Sequence, residues 1–238
     1  MKLISRLSFF IFAIAFLTGC ATTSKQVAKP TIFVETPVQA AQTDEAHAVE
    51  VPAGKQIADV QAFANRVEWP EMPVDPEMKS AYLIKSGTED MVWVEGKGYF
   101  KGSLQDVYKD LVDPMIIGPI HMTKDIVQDK LEQTDLATTY VMHVKVKYIL
   151  TVEFDLTATL EPIFDGNTQV GWLYQNEKTS GSSLLSVIST YILVRALDNG
   201  WFSAEFLSLN KAAQNKESES RGHLEALFGY WEEAAKTR

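Results

Sequence analysis

Cysteine occurs once in the 238 residues, at Cys20, so the chain can form no internal disulfide and no cysteine-based zinc site. Basic residues are also short. Lys and Arg number 22 against 31 Asp and Glu, and the resulting net charge of −9 disfavours a phosphate backbone as partner. Beyond the first twenty residues no run reaches the roughly 18 apolar residues that a membrane-crossing helix requires. Histidines 47, 121, 143 and 223 are scattered with no second ligand at metal spacing, so no metal or other cofactor is expected. A Gly-x-Ser-x-Gly nucleophile turn is missing, and Ser180-Gly181-Ser182-Ser183 reads as a flexible loop. Glycines 96, 98 and 102 do not match a phosphate-binding loop, and Glu153 and Asp155 share a wet strand face with nothing to split their pKa values. Catalysis is therefore not the leading expectation. What is present is an apolar fraction of 46% at a mean hydropathy of −0.07, the balance of a soluble globular body.

The amino terminus has the layout of a secretory signal: Lys2 and Arg6, an apolar run from Leu7 to Leu17, then the small residues Thr18 and Gly19. Leu17-Thr18-Gly19-Cys20 resembles the lipobox of bacterial lipoproteins. That resemblance implies removal of residues 1–19, a diacylglycerol on the Cys20 sulfur and a further acyl chain such as palmitate on its nitrogen. Two or three chains, at about 0.8 kcal/mol per buried methylene, anchor stably where one is marginal. Loss of Lys2 and Arg6 with the signal takes the net charge from −9 to −11. Ala21 stands where, in the enteric sorting rule, an aspartate holds a lipoprotein at the inner membrane. In a Gram-negative cell the implied location is the outer membrane.

Residues 20–66 read as the lipidated terminus and a flexible linker, since Pro30, Pro37 and Pro52 interrupt any helix and Asp44, Glu45 and Glu50 favour a solvated chain. A coil of that length spans about 35 to 40 Å. Ile57, Val60, Phe63 and Val67 fall near helical spacing after Gly54 and predict a short docked helix. The proline-rich stretch Trp69 to Pro76 excludes regular structure and marks the approach to a single domain over 67–238.

Within that domain Tyr82–Lys85 and Met91–Lys101 read as strands, the second with a bulge or bend at Gly96 and Gly98. Ser103 caps a helix through Leu104, Val107, Tyr108 and Leu111, which Asp113-Pro114 ends. Met122–Glu132 fits a strand. From Tyr140 to Leu160 every even position is apolar, the mark of strands with one dry face. A single strand of that length would run about 70 Å, so a bend or hairpin is expected near Lys147–Thr151. Asp165-Gly166-Asn167 is a turn, Val170, Trp172 and Tyr174 resume the alternation, and 176–183 reads as a polar loop. Val187–Leu197 and Trp201–Leu209 flank Asp198-Asn199-Gly200, a hairpin signal. Leu224, Leu227, Phe228, Trp231 and Ala235 form the apolar stripe of a final helix.

This order predicts an α+β domain. Taken with Glu95 to Ser103 leading into Val107-Tyr108 and Leu111 to Pro114, it resembles the helix-grip fold of the START and polyketide-cyclase superfamily over about residues 90–236. The resemblance implies a curved antiparallel sheet of about six or seven strands wrapped on the long C-terminal helix, with an apolar cavity between them. The expected lining is Tyr140, Met142, Val144, Tyr148, Trp172 and Tyr174 from the strands and Leu224, Leu227, Phe228 and Trp231 from the helix. Arg195, inside an apolar run, either faces outward or turns inward to pair with a carboxylate or a ligand's acidic head. The superfamily has no universal catalytic residues to carry over. The expectation is a lipid-anchored envelope protein that binds an apolar or amphipathic small molecule, a lipid among them. The alternative is a non-enzymatic interaction module with an envelope protein partner, and a cyclase- or hydrolase-like enzyme comes third.

Overall fold

The computed structural model describes residues 54–75, 79–117, 123–133, 137–147, 151–212 and 217–237, with the backbone alone for 123–133, 146–147 and Asn199. All fall within one compact unit, Thr43–Arg238. Residues Leu17–Cys20, Ala21 and Tyr148 lie outside the described residues. No helix among those described is long and apolar enough to cross a membrane.

The described chain enters with the two-residue strand β1 (Lys55–Gln56) and one 3-10 turn at Ile57–Asp59, then runs without regular structure to Asp75. The expected helix over Ile57–Val67 does not form. The backbone at Lys55 and Gln56 is instead taken up by a sheet edge, and Ile57, Val60 and Phe63 pack half-buried as an irregular strap, so tertiary pairing overrides the helical spacing.

Next come β2 (Ala81–Thr88) and β3 (Val92–Lys101), paired as a hairpin. Ser103 starts α1 (Leu104–Val112) through a capping box: its hydroxyl accepts from the Asp106 N–H, and the Asp106 carboxylate accepts from the Ser103 N–H. Pro114 stops that helix and opens the single turn α2 (Pro114–Ile117). Six strands follow: β4 (Thr123–Gln133), β5 (Thr138–Lys147), β6 (Thr151–Asp165), β7 (Thr168–Gly181), β8 (Leu185–Ala196) and β9 (Trp201–Ala212). The chain closes with α3 (Glu217–Ala234).

The sheet runs β2-β3-β9-β8-β7-β6-β5-β4, antiparallel throughout, with β1 added in parallel at Lys55↔Ile163 and Gln56↔Phe164. That is eight long strands rather than six or seven, because both edge segments are full strands. The long alternation divides as expected: β5 and β6 pair from Lys147↔Thr151 to Thr138↔Leu160. Past Leu160 the edge of β6 is open, and β1 occupies it. Bulges at Asp155/Leu156 and Ile163/Phe164 bend these long strands and curve the sheet.

Two further expectations are corrected. Residues 176–181 belong to β7 rather than to a loop, because their polar side chains lie along strands that still pair, from Asn176↔Ala158 to Gly181↔Phe154. Gly96 and Gly98 mark no bulge, since β3 is in continuous register with both neighbours. Gly96 instead makes room for α3: a Cβ there would lie 2.7 Å from Leu224 Cδ2 and 2.9 Å from Phe228 Cε2. The Asn-Gly hairpin forms as a 3-10 turn at Asp198–Gly200, with Gly200 at φ +75° and Leu197 N–H bonded to Trp201 O at 2.8 Å.

One face of the sheet packs on α3 and holds the main core, including Val94, Phe100, Tyr140, Leu156, Tyr174, Ile192 and Phe206. On the other face Ile163, Leu173 and Leu193 are covered by Ile57, Val60 and Phe63 of the strap.

Candidate functional site

The helix-facing side of the sheet has two unlike halves. At one end Phe100, Phe202, Phe228 and Trp231 stack and tilt with ring centroids 5.0 to 5.9 Å apart, and Tyr82 adds its ring to Phe100 at 6.0 Å. The buried Asp110 carboxylate of α1 fixes α3 over this end by accepting from Trp231 Nε1 at 3.0 Å and the Tyr230 hydroxyl at 3.2 Å. Trp172 is used in the same way. Its Nε1 donates to Leu104 O at 3.0 Å and its ring lies 5.0 Å from that of Tyr108, so it seats α1 on the sheet.

In the other half, Met142 and Val144 of β5 face Leu156 and Phe154 of β6 directly across the ladder. All four are buried. Between the halves lies one cross-strand row, fixed by the register: Tyr140, Ala158, Asn176, Thr190, Ser208 and Val94, from β5 across to β3. Three adjacent members are polar and buried inside an apolar face.

Two buried hydrogen bonds lie along this row. The Tyr140 hydroxyl donates to Leu111 O at 2.6 Å, and Asn176 Nδ2 donates to the Tyr174 hydroxyl at 2.9 Å. Burial pushes the Tyr174 phenol up to about 12 and raises Tyr140 well above the ordinary tyrosine range, so both are neutral donors at any physiological pH. Asn176 Oδ1 is buried and has no hydrogen-bond partner among the described residues. Further along, the Thr190 hydroxyl donates to Ser208 Oγ at 3.5 Å, and Asn210 Nδ2 donates to Ser208 Oγ at 3.3 Å and Ser220 Oγ at 3.0 Å.

Of the lining predicted from sequence, Tyr140, Met142, Val144, Tyr174, Leu224, Leu227, Phe228 and Trp231 are brought together in this one core. Arg195 is not part of it. It follows Leu193 by two residues on β8, on the face covered by the strap, and its Nε is buried there without a hydrogen-bond partner among the described residues. Sequence reasoning missed Asn176, Thr190 and Ser208 because polar residues near a turn or on a half-wet strand look solvated. Parity was the available signal: Asn176 continues Trp172 and Tyr174, Thr190 lies between Ile188 and Ile192, and Ser208 follows Phe206.

Outside the core, Asp155 holds both His143 Nδ1 and the Ser180 hydroxyl. The Ser180 hydrogen bond and then the one from His143 keep its carboxyl below the usual range. The carboxylate lies between hydroxyl and imidazole, whereas a hydrolytic triad needs the imidazole in the middle. Lys145 pairs with Glu153 beside it.

A curved antiparallel sheet gripping a long C-terminal helix is the helix-grip class of α+β fold. No protein-family model and no curated protein matches this sequence. Among solved structures it is similar to the lipid transfer and protein localization domain of human StarD13, at 11% identity and TM-score 0.46 over 68% of this chain and 86% of that one. Human StAR-related lipid transfer protein 5 gives 10% identity and TM-score 0.47 over 67% and 83%. The Zhui aromatase/cyclase of a Streptomyces species gives 14% and 0.36 over 61% and 88%. These figures describe the path of the chain and say nothing of its ligand.

Proposed function

We propose that this chain is a lipid-anchored protein of the bacterial envelope whose domain holds an apolar or amphipathic small molecule between the sheet and α3. The observation that supports the ligand reading is the buried polar row within an otherwise apolar, helix-covered face. A core made only to be filled gains nothing from three adjacent polar residues, one of which has an acceptor unpaired among the described residues, since a buried acceptor left unpaired costs about 1 to 3 kcal/mol. The anchor rests on the Leu17–Cys20 lipobox, and Ala21 favours the outer membrane in a Gram-negative cell. The test is native mass spectrometry of the full chain after mild extraction, with organic extraction of the same sample. A co-purifying apolar molecule near one per chain is expected. Its absence, together with failure to bind any added amphipath, sinks the reading.

A protein-interaction module is the second reading. It is favoured by the solid aromatic end and by exposed Leu83 on the edge strand β2. A stable envelope partner in a pull-down, lost in Leu83→Lys, would support it.

A further inference from the structure

We infer that the polar row on β7, β8 and β9 is a headgroup site for a neutral, hydroxyl-bearing amphipath such as a long-chain alcohol or a monoacylglycerol. The inference rests on the ligand reading above and adds the chemistry of the ligand's polar end.

The Asn176 amide carries it. Its Nδ2 donates to the Tyr174 hydroxyl at 2.9 Å. The Nδ2 end is thereby used, and Oδ1 is the end left over, in a residue only 5% exposed and with no hydrogen-bond partner for that oxygen among the described residues. What such an acceptor calls for is a donor.

At the other end of the row Ser208 accepts from both Thr190 and Asn210, so its own proton remains to be donated. The row therefore offers an acceptor on β7 and a donor on β9, two strand spacings or about 10 Å apart at the backbone. A hydroxyl is donor and acceptor in one atom and suits either end. An ether oxygen cannot donate to Asn176. A carboxylate has no proton to give and would set its charge against the amide oxygen. Lys178, half-buried opposite Leu156 two residues further along β7, is where an acidic head would go. Ala158 and Val94 flank the row, and Met142 and Leu156 lie beside it for the tail.

The test compares 1-dodecanol, dodecyl methyl ether and dodecanoate by isothermal titration calorimetry, using the full chain held in amphipol at pH 8. The alcohol is expected to bind about tenfold or more tightly than the ether, as one buried hydrogen bond implies. Dodecanoate is expected to bind no better than the ether. Asn176→Leu should erase the alcohol's advantage while holding the ether within about twofold. Equal binding of all three ligands overturns the head assignment and leaves the ligand reading standing, and the same holds if Asn176→Leu keeps the preference. If none of the three binds, both fall. The wild-type comparison needs no variant, so a misfolded Asn176→Leu does not leave the question open.

Discussion

Glu95 is fully buried on β3, and Arg66 of the strap meets both of its carboxylate oxygens: the backbone N–H reaches Oε2 at 2.6 Å and the guanidinium reaches Oε1 at 2.6 Å. The same guanidinium lies 4.7 Å from the centre of the Trp93 ring. One residue thus pins the strap to the face of the sheet opposite α3. Arg66→Ala strips the buried carboxylate of its charged partner and is expected to cost about 2 to 3 kcal/mol in urea unfolding, less than a fully buried pair because the guanidinium is half-exposed. Glu95→Gln keeps an acceptor for the backbone N–H and should cost less. A loss below about 0.5 kcal/mol for Arg66→Ala would show that the strap is held by its apolar residues alone.

The close approach of α3 to β3 gives a second expectation. Gly96→Ala places a methyl 2.7 Å from Leu224 and 2.9 Å from Phe228, and overpacking of this kind costs about 1 to 3 kcal/mol. Leu224→Ala alone leaves a cavity and costs about 2 to 5 kcal/mol. Combined, the two changes should cost clearly less than their sum, because the new methyl occupies space the leucine vacates. Additive losses in a double-mutant cycle would place the strain elsewhere.

Alkaline pH should weaken the fold through the buried phenol of Tyr174. The Tyr174 phenol is pushed up to about 12 in the folded chain from an ordinary value of 10. With the folded value the higher one, its stability contribution is whole below pH 10. It is lost as pH rises from 10 through about 12, at about 1.4 kcal/mol per unit. Urea midpoints at pH 9 and pH 11 should therefore fall more steeply in the wild type than in Tyr174→Phe. Parallel slopes would mean that the phenol ionises as it does in the unfolded chain.

Membrane attachment should depend on a single atom. Cys20→Ser is expected to abolish labelling by radioactive palmitate and to release the chain from the membrane fraction. Unchanged fractionation of that variant would remove the anchor from the proposal.

The α1–α3 tie is testable on its own. Asp110→Leu removes the acceptor for Trp231 Nε1 and the Tyr230 hydroxyl, and the buried indole donor left behind should cost about 1 to 3 kcal/mol. Intact stability would mean that stacking of Trp231 on Phe100 and Phe202 holds the helix without it.

Patterns that repeat over short distances were readable without coordinates. The alternation from Tyr140 to Leu160 foretold a hairpin, Ser103 foretold a helix start, and the Leu224–Trp231 stripe foretold the gripped helix. Each depends on one face being dry and the other wet, a property the local chain already encodes. Arg195 and the strap were not readable in this way. An apolar run does not say which face of a strand it covers when both faces are buried, and the second covering layer comes from residues more than a hundred positions away. Asn176 was misread for a related reason, since its polarity suggested solvent and only its neighbours on β6 and β8 turn it inward.

By itself, then, the amino-acid order determined the class of fold and the order of its main elements, because periodicity and short motifs act over a few residues. Only the tertiary structure decided what the two faces of the sheet meet: an irregular strap clamped by Arg66 on one side, and on the other a helix over a polar row that includes an amide oxygen unpaired among the described residues. Those outcomes follow from register between distant strands, which sets the direction of each hydrogen bond and is written in no single stretch of the chain.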